Sequence, residues 1–106
     1  EVRRIEPAAE DDGRPRKVPH MGWNPLSIRS TDHPVLAGLE DGNHAYFVHS
    51  YAMRLDSAGQ NLATADYGGE ICAVVGRDNM VGTQFHPEKS QATGLRLIAN
   101  FIGWTP

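Results

Sequence analysis

Cysteine is nearly absent from this sequence. A single thiol, Cys72, stands among 106 residues, which excludes an internal disulfide framework and fits a reducing, cytoplasmic setting. Positive charge is not in excess either. Ten Lys and Arg face thirteen Asp and Glu, a formal net charge of −3, which argues against nucleic acid or an anionic membrane as the main partner. No apolar run approaches the roughly 20 residues needed to cross a bilayer, and no signal-peptide pattern opens the chain. The first residue is Glu1 rather than methionine, and residues 6–17 (EPAAEDDGRPRK) are polar and rich in charge and proline. Such a stretch cannot bury a core and reads as a surface loop or linker. The expectation is a chain cut from something longer on its N-terminal side, with residues 1–16 a polar segment or loop and residues 17–106 the folded part.

What is present suits a globular chain, 40% hydrophobic and 22% charged, enough for one small domain or part of a larger one. Residues 19–25 (PHMGWNP) hold two prolines and a glycine and read as an ordered loop, and residues 31–42 allow one short helical turn. Residues 44–53 (HAYFVHSYAM) are aromatic and β-branched, the composition of a strand. A weaker strand is expected over residues 61–67, closed by Gly68 and Gly69. Residues 71–75 (ICAVV) are apolar throughout, as in a strand buried on both faces. Turn chemistry over residues 76–79 and a return over residues 80–85 make a hairpin. The chain closes on a helix with Ser90 as N-cap. Leu95, Ile98, Ala99 and Ile102 then form a core-facing stripe, and Leu97, Phe101 and Trp104 a second one. Gly94 costs about 1 kcal/mol relative to alanine inside a helix, which implies either fraying or close packing there. Together these elements leave apolar faces that the chain cannot itself cover, a second sign of a missing half.

The segment QFHPEKS, residues 84–90, carries the most chemistry. Residues i and i+2 of an extended chain point the same way, so His86 and Glu88 stand side by side with Pro87 fixing the backbone between them. A carboxylate beside an imidazole accepts its Nδ1–H, sets its tautomer and leaves Nε2 to move a proton. The competing reading is a plain surface turn at a hairpin end. A zinc-deaminase reading of H-x-E needs a downstream P-C-x-x-C, and Cys72 lies upstream. His44 and His49 fall on opposite faces of a strand and cannot grip one metal. His20 and His33 sit in expected loops without cysteine or histidine neighbours, so no metal and no cofactor are expected. Cys72, inside an apolar strand and lacking a glycine-flanked turn, reads as an inert buried thiol rather than a nucleophile.

Four segments together resemble one family: KVPHMGWN at residues 17–24, YFVHSY at 46–51, GTQFHPEKSQ at 82–91, and Gly94-Leu95. Their order and spacing are similar to those of class I glutamine amidotransferases, and within them to the amidotransferase subunits of imidazole glycerol phosphate synthases. The likeness runs from about Lys17 to Trp104. It implies an α/β, three-layer amidotransferase fold, here its C-terminal half only: strands, a hairpin and a final helix. It also implies a Cys-His-Glu triad in which His86 is the general base and acid and Glu88 its orienter. In such enzymes the cysteine attacks the glutamine side-chain amide, and ammonia passes to a (β/α)8-barrel cyclase in histidine biosynthesis. By the same resemblance Ser50 and Tyr51 contact glutamine through backbone groups, and Trp23, Tyr46 and Lys89 meet the cyclase. The triad cysteine and the oxyanion-hole N–H groups belong to the missing N-terminal half, so the chain alone is expected to be inactive.

Residue by residue, other readings stay open. Trp23 suits either an interface anchor or a core position, Tyr46 an ordinary strand aromatic, and Lys89 a solvated lysine. A class I amidotransferase with another acceptor, or a non-catalytic cyclase-binding fragment, are the alternatives to a glutaminase part.

Overall fold

A computed structural model describes residues 2–10, 13–30, 32–55 and 58–105. It is a mixed α/β arrangement of short antiparallel strands and one C-terminal helix. Strand β1 (Val2–Arg4) pairs with β5 (Tyr51–Met53), and β2 (His20–Pro25) pairs with β4 (His44–His49). The largest sheet has the order β3 (Ser27–Ile28), β6 (Asn61–Asp66), β7 (Glu70–Arg77), β8 (Met80–Thr83). Helix α1 (Gln91–Gly103) closes the chain. Leu26, Val35, Phe47, Val74, Phe85 and Leu97 lie in the main core, and Ile5, Ala52 and Ile71 form a smaller cluster.

Several expectations are met. The β7–β8 hairpin turns on Asp78 and Asn79, with Asp78 in the left-handed region (φ 55) that Asp tolerates better than most residues. Gly68 and Gly69 close β6 at φ 67 and 156, and a Cβ on Gly68 would lie 2.6 Å from the Ala8 backbone. The helical turn expected within residues 31–42 is a 3-10 turn, Pro34–Leu36, where His33 Nδ1 accepts from the Val35 N–H; Thr31, at the start of that stretch, lies outside the described residues, as do Asp11 and Asp12 of the polar stretch. The segment over residues 1–16 is not loop throughout, however: ahead of the polar stretch Val2–Arg4 is a strand paired with β5, and its neighbour Ile5 is buried.

Others need correction. Residues 19–25 are not a loop: His20–Pro25 is a strand in register with β4, Trp23 opposite Tyr46 and His20 opposite His49. Cross-strand pairing outweighs the local signal of proline and glycine there. The strand expected over residues 44–53 breaks at Ser50, where the chain leaves β2 for β1 and the Ser50 carbonyl accepts the Ile5 N–H at 2.8 Å. Strand β7 is not sealed on both faces, since Cys72 and Val75 are half-buried.

The helix turns a different side inward than the apolar count suggested. Gly94 and Leu97 are buried, Asn100 donates to the carbonyls of Val35 and Ala37 at 2.9 and 2.7 Å, and Trp104 packs on the core. Leu95 and Ile102 are 70% and 78% exposed. Glycine and asparagine, which score as non-apolar, hold the inward face. Gly94 is a close-packing position: a Cβ there would fall 1.7 Å from the Pro87 carbonyl oxygen.

Candidate active site

The turn that presents His86 is held at both ends by one residue of β4. The His86 N–H donates to the Tyr46 carbonyl at 3.0 Å, and the Tyr46 N–H donates to Ser90 Oγ at 2.9 Å. Ser90 Oγ in turn donates to the His86 carbonyl at 2.7 Å. Ser90 is fully buried and flanks α1, yet its hydroxyl makes no capping bond to the helix. The expected N-cap role is therefore corrected: the hydroxyl braces strand to turn. Phe85, buried just before the turn, meets Phe47 edge to face with ring centres 5.8 Å apart.

On this brace His86 Nδ1 lies 2.7 Å from Glu88 Oε1. An ionised carboxylate only accepts, so the Nδ1–H donates and Nε2 is the nitrogen left to take a proton. Both side chains reach solvent, at 41% and 60% exposure. The backbone N–H of Glu88, and then the His86 imidazole, hold the Glu88 carboxyl below the usual carboxylate range. Glu88 is thus an anion at neutral pH, able to orient the imidazole and stabilise its protonated form.

Trp23, Tyr46 and Lys89 come together. The Trp23 and Tyr46 rings meet edge to face at 5.7 Å, and Lys89 Nζ stands 6.0 Å from the centre of the Tyr46 ring, within cation–π range. With Met21 and Val48, Trp23 and Tyr46 share the outward face of the β2–β4 ribbon, and Met21, Trp23 and Val48 are exposed. Met21 and Val48 escape the sequence reading because only the cross-strand register puts them there. Ser50 and Tyr51 lie four and five residues beyond Tyr46, Ser50 at the break between β4 and β5 and Tyr51 at the start of β5.

Cys72 lines a separate hollow with residues of β1 and β5, one whose lining includes neither His86 nor Glu88. Burial, and then the charge of Glu70, push its thiol up, against the thiolate a nucleophile needs. Among the described residues no group of three or more His, Cys, Asp or Glu side chains could hold a metal ion, and no helix is long and apolar enough to cross a membrane.

The sequence profile of glutamine amidotransferase class-I matches residues 5–104. The chain belongs to the class I glutamine amidotransferase family. Among curated amidotransferase relatives it is 66% identical over 90 residues to imidazole glycerol phosphate synthase subunit HisH of Cereibacter sphaeroides, covering 85% of this chain and 42% of that one. The subunit HisH of Azospirillum brasilense is 60% identical over 104 residues, 98% of this chain and 52% of its own. The chain thus spans about half the length of these relatives. A crystal structure of a Thermoplasma acidophilum protein, provisionally described as one subunit of GMP synthase, superposes with a TM-score of 0.68 at 21% identity, covering 83% of this chain and 45% of that one. That likeness concerns the amidotransferase fold alone.

Proposed function

We propose that this chain supplies the proton-transfer arm of a glutaminase: His86 as general base and acid, Glu88 as its orienter. The observation that carries this is the 2.7 Å Nδ1–Oε1 contact on a turn braced from both ends, in a member of the class I family. The nucleophilic cysteine and oxyanion hole come from an N-terminal half equivalent to the remainder of the relatives' length. The cysteine thiolate attacks the glutamine carboxamide carbon, and the protonated His86 gives its proton to the leaving ammonia. His86 then takes a proton from the water that releases glutamate from the thioester. Glutamine is held in part by the Ser50 and Tyr51 backbone.

The outward ribbon of Met21, Trp23, Tyr46 and Val48, with Lys89 beside it, is the face for a (β/α)8-barrel cyclase. That cyclase takes the ammonia to make imidazole glycerol phosphate, in the cytoplasm. Aromatic anchors on a rigid strand pair are the residue types that dominate interfaces. Similarity to subunits named HisH supports this acceptor over another.

The test mixes the purified chain with a separately expressed cysteine-bearing half and follows ammonia release from glutamine. Activity is expected only from the mixture, and none when His86→Ala is used. Ammonia release by the chain alone, lost in His86→Ala, would refute the need for a second half. Full activity of His86→Ala in the mixture would refute the role of the histidine.

A further inference from the structure

A pair of imidazoles lies inside the protein, and its hydrogen bonds allow a single arrangement of protons. His20 and His49, 2% and 8% exposed, face each other with His20 Nδ1 2.8 Å from His49 Nε2. At one end the Asn24 amide nitrogen donates to the Asp66 carbonyl at 2.8 Å, which fixes the orientation of that amide, and its second hydrogen faces His20 Nε2 at 3.3 Å. His20 Nε2 must then accept, so the proton of that ring is on Nδ1 and is donated to His49 Nε2. At the other end His49 Nδ1 lies 3.0 Å from the Tyr51 carbonyl. A carbonyl only accepts, so His49 also carries its proton on Nδ1. Asn24 and the Tyr51 carbonyl, at opposite ends, independently demand the same polarity.

The rings are also fixed in place. His20 is stacked between Phe47 and Tyr67, with centres 4.8 and 4.0 Å away and planes within 16° and 15°. His49 and Tyr51 flank Ser50, the residue at which the chain exchanges β2 for β1 as its partner. The bond from the His49 ring to the Tyr51 carbonyl therefore spans Ser50 and Tyr51 and closes across the break in the strand.

We propose that His20 and His49 are positioning residues for substrate: their fixed-tautomer relay aims the Tyr51 carbonyl and so sets the Ser50–Tyr51 backbone that holds glutamine. This rests on the assignment of Ser50 and Tyr51 to glutamine binding made above. A proton added to either ring would set one N–H against another and break the chain. Burial holds both rings neutral at physiological pH, His20 lowered to about 4 by desolvation and by His49, and His49 lowered by desolvation. Of the titratable groups packed around them, Tyr67 presents its ring face, its hydroxyl donating to the Lys17 carbonyl, Asp66 offers only its backbone carbonyl, and the Arg16 guanidinium lies beyond, 6.0 Å from the Tyr67 ring.

The test is made in the full-length amidotransferase bound to its cyclase. Nitrogen NMR of the wild-type imidazoles should show both protons on Nδ1, the minor tautomer of free histidine in water; an Nε2–H form of either ring overturns the relay. His49→Phe keeps a ring in the core but removes the donor to Tyr51. It should raise KM for glutamine by about tenfold with kcat within about threefold, the scale of a lost binding interaction. Asn24→Leu leaves both imidazoles in place and should move KM in the same direction by less. A folded Asn24→Leu protein with wild-type KM and one ring turned to the other tautomer overturns the positioning role, whether or not His49→Phe folds. Retained glutaminase activity in His86→Ala would instead sink the functional assignment, and the NMR result stands apart from it.

Discussion

Two pairs built on histidine, made from the same side chain, sit in opposite surroundings. His86 reaches solvent, has a carboxylate at 2.7 Å and is carried on a turn. His20 and His49 are buried, have each other as partner and are carried on strands. Burial and a facing imidazole keep a second proton off His20, whereas the carboxylate beside His86 fixes its tautomer and leaves Nε2 open to solvent. The difference between an imidazole with a nitrogen open to solvent and one with both nitrogens committed thus lies in the neighbours, not in the ring.

That contrast can be broken at either end. The largest expected effect is His86→Ala in the assembled enzyme, a fall in kcat of about a thousandfold, with unfolding stability changed by no more than about 0.5 kcal/mol because the side chain is partly exposed. Glu88→Gln, which keeps a hydrogen-bonding group but not the charge, should cost about a hundredfold. Equal kinetics for wild type and both variants would erase the distinction between the pairs. Next comes Gly94→Ala. Its methyl overlaps the Pro87 carbonyl, so the turn or the helix must move, at a cost of about 3 kcal/mol read from urea denaturation; an unshifted midpoint would show that the turn does not rest on the helix.

The buried pair is addressed by pH. His20 has a folded-state pKa of about 4 against an ordinary 6.5, so between these values the unfolded chain binds the extra proton. Stability therefore rises with pH across that window and is lost on acidification, by about 2.5 kcal/mol between pH 7.5 and pH 4.5. His49 acts in the same direction. His20→Phe should remove the His20 share of that slope, and denaturation curves at the two pH values for both proteins measure it; identical slopes would mean that His20 titrates normally. The smallest effect is expected from Ser90→Ala, about 1.5 kcal/mol from the loss of a buried hydroxyl with a partner on each side. Its signature is a wild-type pH slope with a lower midpoint, since it touches neither buried imidazole.

The same contrast separates what the sequence makes legible from what it does not. His86 and Glu88 are two residues apart, and although Pro87–Lys89 is a 3-10 turn rather than the extended chain expected there, their adjacency needs no knowledge of the rest of the fold. The β7–β8 hairpin and the final helix are local in the same sense. His20 and His49 are 29 residues apart, and their contact exists only through the β2–β4 register, which Pro19, Gly22 and Pro25 disguised as a loop. The inward face of α1 was obscured because Gly94 and Asn100 hold it, one by lacking a side chain and one by bonding to carbonyls. The clustering of Trp23, Tyr46 and Lys89 came from family resemblance, because composition left each of them an ordinary surface or core reading.

The hydrogen bonds joining Tyr46, Ser90 and His86 form a closed loop: from the Tyr46 N–H through the serine hydroxyl to the His86 carbonyl, and from the His86 N–H back to the Tyr46 carbonyl. A closed loop of this kind works like a rigid crank. Tyr46 cannot be pushed or tilted without carrying the His86 peptide with it, and its ring lies between Trp23 and Lys89. A shift of that strand is thereby passed to the His86 main chain by two routes, directly from the Tyr46 carbonyl and through the Ser90 hydroxyl. Linkage makes the transmission two-way: whatever settles against His86 also alters the grip available at Tyr46.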